Sequence, residues 1–449
     1  MALSLATALQ AAIETELDRW DVPGMALGIF AEGESEVLAF GSASDETRAP
    51  VRPDTIFQIG SITKVFTATL VMQLVEEGLV DLDTPVVRYL PELRLGDMKA
   101  LHAITPRMLL GHVGGFFGDL FTDTGMGDDA LARFVAGFGT LAQITPPGTL
   151  FSYCNTGFAI AGLLIERLRS VPFEQVARER LFEPLGMERT FLFPHEAITY
   201  PLAIGHNTLP DQERQIARRY PLPRASNPAG GILSTAGDLL RFARAHLNDG
   251  ELDGQRILSP ESARLMRVPQ YPAGSFADAY GVGWMLRTID GATVAGHGGS
   301  TNGFRAQLSL VPERGVAVAM LTNGSRGNAV NHAIERLVLT RYAGLVFAEP
   351  PRVALAPERL ARLAGHYERP LNRVDIAVAD GALTIAQEAE SPLNGQRVVF
   401  PPVRAEAIAP DRFLIVEGES AGETIEFIDG PNGEVRFMRL HGRLTDRVA

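Results

Sequence analysis

Ser61 and Lys64 stand three residues apart in "FQIGSITKVFTATLVMQLVEEG", residues 57–78, just ahead of Val65, Phe66, Leu70, Val71, Leu74 and Val75. At i and i+3 the two side chains share one face of a helix. A helix this apolar is a buried one, and an ammonium group near its start loses hydration. Desolvation lowers a lysine's pKa, and a neutral amine can take the proton of a neighbouring hydroxyl. The N–H groups and dipole of a helix N-terminus favour the anion that then develops. A bare S-x-x-K is nevertheless common by chance, and alone it describes an N-cap serine beside a surface-directed lysine.

Two further stretches offer chemistry that would complement it. "PPGTLFSYCNTGF" holds Tyr153 and Asn155; a phenol beside a lysine can shuttle a proton, and an asparagine can reach the same site from an extended or loop segment. Cys154 lies between them, so on an extended segment it points the other way and reads as a packing residue, not a nucleophile. "AGHGGSTNGF" holds His297, Gly298, Gly299, Ser300 and Asn302. Glycines on a strand let a substrate lie close to the backbone, and His297 offers a donor or a titratable charge. His112, His206, His246 and His332 show no metal-ligand spacing, so neither a metal nor a cofactor is expected. Arg443 and Arg447 could reach a substrate carboxylate if the last strand faces the cleft.

These residues need a scaffold. "MALSLATALQAAIETELDRW" reads as an amphipathic helix, and "GMALGIFAEGESEVLAFGSAS" as a hairpin turning at Glu32-Gly33-Glu34. The Ser61 helix runs to Gly78, a C-cap. Signals from about 80 to 270 are mostly helical, with Thr105 capping before Pro106, and Ser234 or Thr235 capping "AGDLLRFARA". From about 280, "YGVGWMLRT", "ATVAGHGG", "FRAQLSLVP" and "GVAVAMLTN" are short strands, closed by the helix "NAVNHAIERLVLTRYAGLV". Strands from both ends of residues 1–346 are expected in one antiparallel sheet flanked by helices, with a helical lobe inserted. A Pro-rich linker at 347–358 leads to 359–449, where strand-like runs and turns such as Asp380-Gly381, Asp429-Gly430 and Asn432-Gly433 predict a small antiparallel barrel or sandwich.

Composition narrows the class. The chain has 449 residues, 46% hydrophobic, with a net charge of −12, which disfavours nucleic acid and anionic membrane surfaces as partners. No stretch reaches the roughly 20 apolar residues of a membrane span. The start lacks a basic n-region, and the single cysteine, Cys154, excludes an intramolecular disulfide framework. The cytoplasm is the expected location.

Taken jointly, S-x-x-K, Y-x-N and H-x-G in that order resemble the serine β-lactamase and penicillin-binding-protein superfamily. "DTIFQIGSITKVFTA", "TPRMLLGHVGGF" and "NPAGGILSTAGDLLRFARA" are similar to its usual phrases, and the resemblance covers about residues 8 to 345. It implies a mixed α/β (α+β) fold, with Ser61 as acylated nucleophile and Lys64 and Tyr153 as the proton-transfer pair. Asn155 would orient Lys64 and the substrate, and His297 would stand where many members carry lysine. The N–H groups of Ser61 and Ser300 would form the oxyanion hole, worth roughly 3 to 4 kcal/mol per donor. Gly298, Gly299, Asn302 and Arg447 are assigned to substrate binding. His297-Gly298-Gly299 in place of K-T-G resembles the esterase and D-aminopeptidase branches more than true β-lactamases. The C-terminal segment resembles the lipocalin-like domain of some D-aminopeptidases and of penicillin-binding-protein-type thioesterases. Those thioesterases release and macrocyclise nonribosomal peptides, joining a D-configured acyl residue to an N-terminal amine. The expected function is therefore serine acyl transfer from a peptidyl or ester donor, carrier-protein-bound peptides included, with peptide cyclisation as the specific expectation. The alternative is an intracellular esterase or D-stereospecific peptidase.

Overall fold

Met25 pairs with Thr322 and Phe30 with Ala317, so strands nearly three hundred residues apart in sequence lie side by side and antiparallel. The computed structural model describes residues 2–220, 222–391 and 395–448, with side chains from residue 9 onward; Met1 of the expected first helix and Ala449 of the expected last domain lie outside them. In chain order the main elements of residues 1–346 are α1 (Ala2–Trp20), β1 (Gly24–Ala31), β2 (Glu34–Gly41), α2 (Thr63–Glu76), α3 (Asn155–Arg169), α4 (Ala236–Leu247), β3 (Tyr271–Pro272), β4 (Ala279–Tyr280), β5 (Met285–Ile289), β6 (Ala292–Thr301), β7 (Phe304–Val311), β8 (Val316–Thr322) and α5 (Gly327–Ala343). The sheet order is β2-β1-β8-β7-β6-β5-β4-β3, eight strands joined across both ends of this region as the pattern predicts. Between α2 and α4 lie the long helix α3, several short helices, turns and two-residue strands, so the lobe expected there is helical but more broken than its signals suggest.

Side-chain alternation divides the sheet into two faces. Met25, Leu27, Ile29, Val318 and Met320 meet Leu9, Ile13 and Leu17 of α1 and Val330, Ile334 and Val338 of α5. Ala26, Ala317 and Ala319 point the other way into the larger core with Leu239, Leu240 and Ala243 of α4. Small residues on that face let α4 approach closely: a Cβ at Gly28 would sit 3.0 Å from the Ala236 carbonyl oxygen. α2 lies inside this core, with every residue from Thr63 to Leu74 buried.

The turn chemistry agrees with the sequence at several points. Glu32 and Gly33 turn the β1–β2 hairpin with positive φ, and the Thr105 and Thr235 hydroxyls accept from Met108 N and Asp238 N at their helix starts. Beyond α5 an extended segment leads to α6 (Pro357–Leu363) and then to β9 (Gly365–Arg369), β10 (Asn372–Ala379), β11 (Ala382–Glu390), β12 (Arg397–Ala407), β13 (Arg412–Ile415), β14 (Thr424–Asp429), β15 (Val435–Leu440) and β16 (Arg443–Arg447). These eight close into a barrel, so the choice between barrel and sandwich falls to the barrel. Its interior is filled by Tyr367, Leu383, Phe413, Phe427 and Met438, so it is a packed core and not a pore.

The barrel is fastened to the sheet domain by its β15–β16 hairpin. Tyr153 N donates to Gly442 O at 2.8 Å, Leu444 N to Ser152 Oγ at 3.3 Å, and Arg439 Nε to Phe151 O at 3.2 Å. Arg439 also forms an ion pair with Glu426, whose carboxylate accepts from Ser275 N at 3.1 Å. Removing one member of a buried ion pair strands the other. Arg439→Met is therefore expected to destabilise the protein by about 3 kcal/mol, read as a lower urea midpoint; an unchanged midpoint would show that this pair does not hold the barrel in place.

Candidate active site

Ser61 does not open the long helix. It sits in the 3₁₀ turn Gly60–Ile62 that leads into α2, one step earlier than the sequence suggests, and Gly60 there has φ +51°. The turn is wedged against β6: a Cβ on Gly60 would lie 2.7 Å from Ser300 N, and one on Gly299 only 1.9 Å from Ile59 O. What Gly299 admits is thus the Ile59 carbonyl and not a substrate, which corrects the expectation for that glycine. The same closeness brings the Ser61 and Ser300 backbones to one spot, and a Cβ on Gly299 would be 3.3 Å from Ser61 N.

Lys64 is 0% exposed, whereas Ser61 is partly open to solvent. Its Nζ lies 3.0 Å from Ser61 Oγ, 2.7 Å from Asn155 Oδ1 and 2.6 Å from Ala229 O. Burial, reinforced by the charge of Arg443, holds the Lys64 amine well below the ordinary lysine range. The partners fit a neutral amine. Asn155 Oδ1 and Ala229 O can only accept, so they take both N–H groups, and the lone pair faces the Ser61 hydroxyl, which can donate. The orientation of the Asn155 amide is fixed too, because its Nδ2 donates to Asp119 Oδ1 at 2.9 Å. Asn155 is the first residue of α3, not part of a loop, and Cys154 is the N-cap whose sulfur accepts from Gly157 N. Burial raises that thiol to about 12, in keeping with a packing residue.

Tyr153 shares a hydrogen bond with Ser61, and burial pushes its hydroxyl upward, so it is a phenol and not a phenolate. Its ring stacks on His112, centroids 4.2 Å apart, and lies 5.0 Å from Lys64 Nζ. His112 Nδ1 accepts from Cys154 N at 2.9 Å, so its proton is on Nε2, which reaches the Tyr280 hydroxyl at 3.1 Å. His112 and Tyr280 thus brace the phenol from behind. His297 is 1% exposed; its Nδ1 donates to Gly298 O at 2.6 Å and Nε2 has no partner. Burial, with Lys64 nearby, lowers its pKa to about 3, so it is neutral and supplies no fixed cation.

Two assigned residues are used elsewhere. Asn302 is at the tip of the β6–β7 hairpin, its Nδ2 donating to Arg219 O and its Oδ1 accepting from Asn207, both at 2.8 Å. Arg447 donates to Arg362 O at 3.0 Å and Ala364 O at 2.8 Å, so its guanidinium ties the barrel wall to α6. It lies four positions along the strand from Arg443, roughly 13 Å of rise, and Arg443 is the one that enters the site. Arg443 Nε and Nη2 donate to Asp119 at 2.6 and 2.9 Å, and its guanidinium lies 4.9 Å from the Tyr153 ring centre. Arg369 of β9 donates to the same carboxylate at 3.2 Å. Neither Asp119 nor Arg369 was singled out by the motifs; the one signal for Asp119 is a charge inside the apolar run "GGFFGDLF". Among the described residues no group of three or more His, Cys, Asp and Glu is placed to hold a metal, and no helix is long and apolar enough to cross a membrane.

The arrangement is a partly open hydroxyl beside a buried amine, a phenol within reach and two converging backbone segments. The beta-lactamase family model matches residues 9–341. The chain belongs to the β-lactamase family. It is 42% identical to penicillin-binding protein 4 of Amycolatopsis lactamdurans over 78% of this chain and 93% of that one. Its likeness to the crystal structure of SurE with D-Leu has a TM-score of 0.74 at 27% identity and covers 98% of this chain and 99% of that one, the barrel included. The D-amino acid amidase of Ochrobactrum anthropi SV3 complexed with D-phenylalanine is 26% identical, with a TM-score of 0.62, over 75% of this chain and 99% of that one. The fold of β-lactamase and penicillin-binding-protein type serine hydrolases is thus shared by the chain along its whole sheet domain.

Two outcomes follow from the geometry. A basic group whose pKa is depressed is neutral at pH values where an ordinary lysine is charged, so acylation of Ser61 should rise with pH through that lowered pKa and stay high above it. A rate profile whose acid limb sits near the ordinary lysine value would remove Lys64 as the base. Gly299→Ala should push β6 off the Ser61 turn and cost about a hundredfold in acylation rate, measured by stopped-flow with a p-nitrophenyl ester; a wild-type rate would mean the contact is not needed.

Proposed function

We propose that the protein transfers acyl groups through an ester on Ser61, taking peptidyl donors that end in a D-residue and passing them to an amine of the same peptide. In the first half-reaction the Ser61 proton moves to Lys64 Nζ as Oγ attacks the acyl carbon. The Ser61 and Ser300 N–H groups meet the oxyanion, and the leaving group departs with a proton returned from Lys64 by way of Tyr153. In the second, an amine or a water attacks the ester, gives up its proton along the same route, and Ser61 is restored.

The observation that carries the choice of donor is the neutral, buried His297. A cell-wall peptide or a β-lactam presents a carboxylate beside the scissile bond and needs a cation there; a thioester or a simple amide does not. The likeness to structures holding D-Leu and D-phenylalanine supports a D-configured acyl residue. Hydrolysis of D-amino-acid amides or esters is the second reading, favoured by the likeness to the amidase.

The test is mass spectrometry after incubation with a peptidyl N-acetylcysteamine thioester ending in D-Leu, for the intact protein and for Ser61→Ala. A product lighter than the linear acid by one water, made only by the intact protein, is expected. Linear acid alone would make the protein a hydrolase, and no Ser61-dependent product would overturn the reading.

A further inference from the structure

Asp119 reaches from the sheet domain to three partners at once: bidentately to Arg443 of β16, to Arg369 of β9, and to the Nδ2 of Asn155, whose other end holds Lys64. Its loop is set by a close approach, since a Cβ on Gly118 would lie 2.6 Å from Cys154 Cα, and Thr156 N donates to Gly118 O at 3.0 Å. We propose that Asp119 is a positioning residue that couples the C-terminal barrel to the reaction, fixing Asn155 and Arg443 around the Lys64 amine. The inference rests on the acyl-transfer reading above, in which Lys64 is the base.

The coupling has a geometric and an electrostatic part. An asparagine amide looks nearly the same either way round, and only its partners decide which end faces Lys64. A carboxylate accepts and never donates when ionised, so Asp119 obliges Asn155 to turn Nδ2 toward it and Oδ1 toward the amine. Burial pushes the Asp119 carboxyl up, but Arg443, Arg369 and the Asn155 amide outweigh it and hold the group below the ordinary range, so it is ionised.

The charge part is equally specific. The titratable groups around Lys64 are Tyr153 and Cys154 ahead of α3, His112 behind the phenol, and His297 on β6. Burial keeps the first two protonated and both histidines neutral, so none of the four carries charge. The charges left are Asp119 against Arg443 and Arg369, two of the three brought by the barrel. Arg443 works against a proton on Lys64, and Asp119 works for one. Removing either member of this ion pair should therefore move the base in opposite directions, an effect that loss of packing alone would not produce.

The experiment follows the pH dependence of Ser61 acylation by p-nitrophenyl butyrate in the full-length protein, with covalent labelling of Ser61 by a fluorophosphonate as a parallel readout. Asp119→Asn should shift the acid limb down by about one pH unit and Arg443→Met should shift it up by a similar amount. Both should lose about tenfold to a hundredfold in the plateau rate, through misplaced Asn155 and Tyr153. Asp119→Glu should return the limb toward its wild-type position while the rate stays low. Should Arg443→Met fail to fold by circular dichroism, Arg369→Met replaces it, with a smaller upward shift expected. Limbs that stay put or move the same way, with Ser61 still labelled in the wild type, would overturn the role of Asp119 alone. A wild type in which Ser61 is not acylated at all would overturn the acyl-transfer reading and this inference with it.

Discussion

A lysine with no solvent exposure and three oxygen partners is the constraint around which this molecule is arranged. A charged ammonium in that place would forfeit its hydration, and its partners include no carboxylate to offset the loss. The alternative is a neutral amine, and two obligate acceptors with one hydroxyl are the set that suits it. To build this pocket the chain must hold α2 inside the larger core, start α3 at Asn155 and bring the Ala229 carbonyl across, which ties three distant segments to one nitrogen.

The second dependence is steric. Ser61 can meet the β6 backbone only because neither Gly60 nor Gly299 has a side chain, and Gly60 also takes a positive φ that other residues adopt at a cost. The H-x-G stretch is therefore as much about letting a strand touch a turn as about receiving a substrate. His297, next along, spends its Nδ1 hydrogen on Gly298 O, which fixes the tautomer and leaves a bare acceptor at Nε2. A site so equipped offers hydrogen-bond acceptance and no positive charge along that edge.

Much of this was legible in the sequence, for identifiable reasons. Period-2 and period-3.6 patterns located β1, β6 to β8, α2 and α5 because each buries one face or all faces, and β2 was located by its hairpin turn although it is only partly buried. Ser61, Lys64, Tyr153, Asn155 and His297 were found because each lies in a local motif, and the structure gathers all five in one place. What escaped were residues whose meaning is long-range. Asp119 meets Arg443 across 324 positions and Arg369 across 250, and no local pattern announces such a pairing. Arg447 was preferred to Arg443 because nothing in a strand's alternation tells which end faces the cleft. Asn302 sits in the right hairpin, but its amide is consumed by neighbours that the sequence alone does not bring near.

The barrel changes what kind of cleft this is. In a sheet domain standing alone, the residues flanking Tyr153 and Asn155 would face water, and the ionised Asp119 would be screened. Here the β15–β16 hairpin accepts from Tyr153 N at Gly442 O, donates from Leu444 N to the Ser152 hydroxyl, and lays a guanidinium beside the phenol ring. Removing water from that edge strengthens each remaining electrostatic contact. A second domain placed in this way therefore bears on the charge around the Lys64 amine, because Arg443 of the barrel works against a proton there and the Asp119 it pairs with works for one.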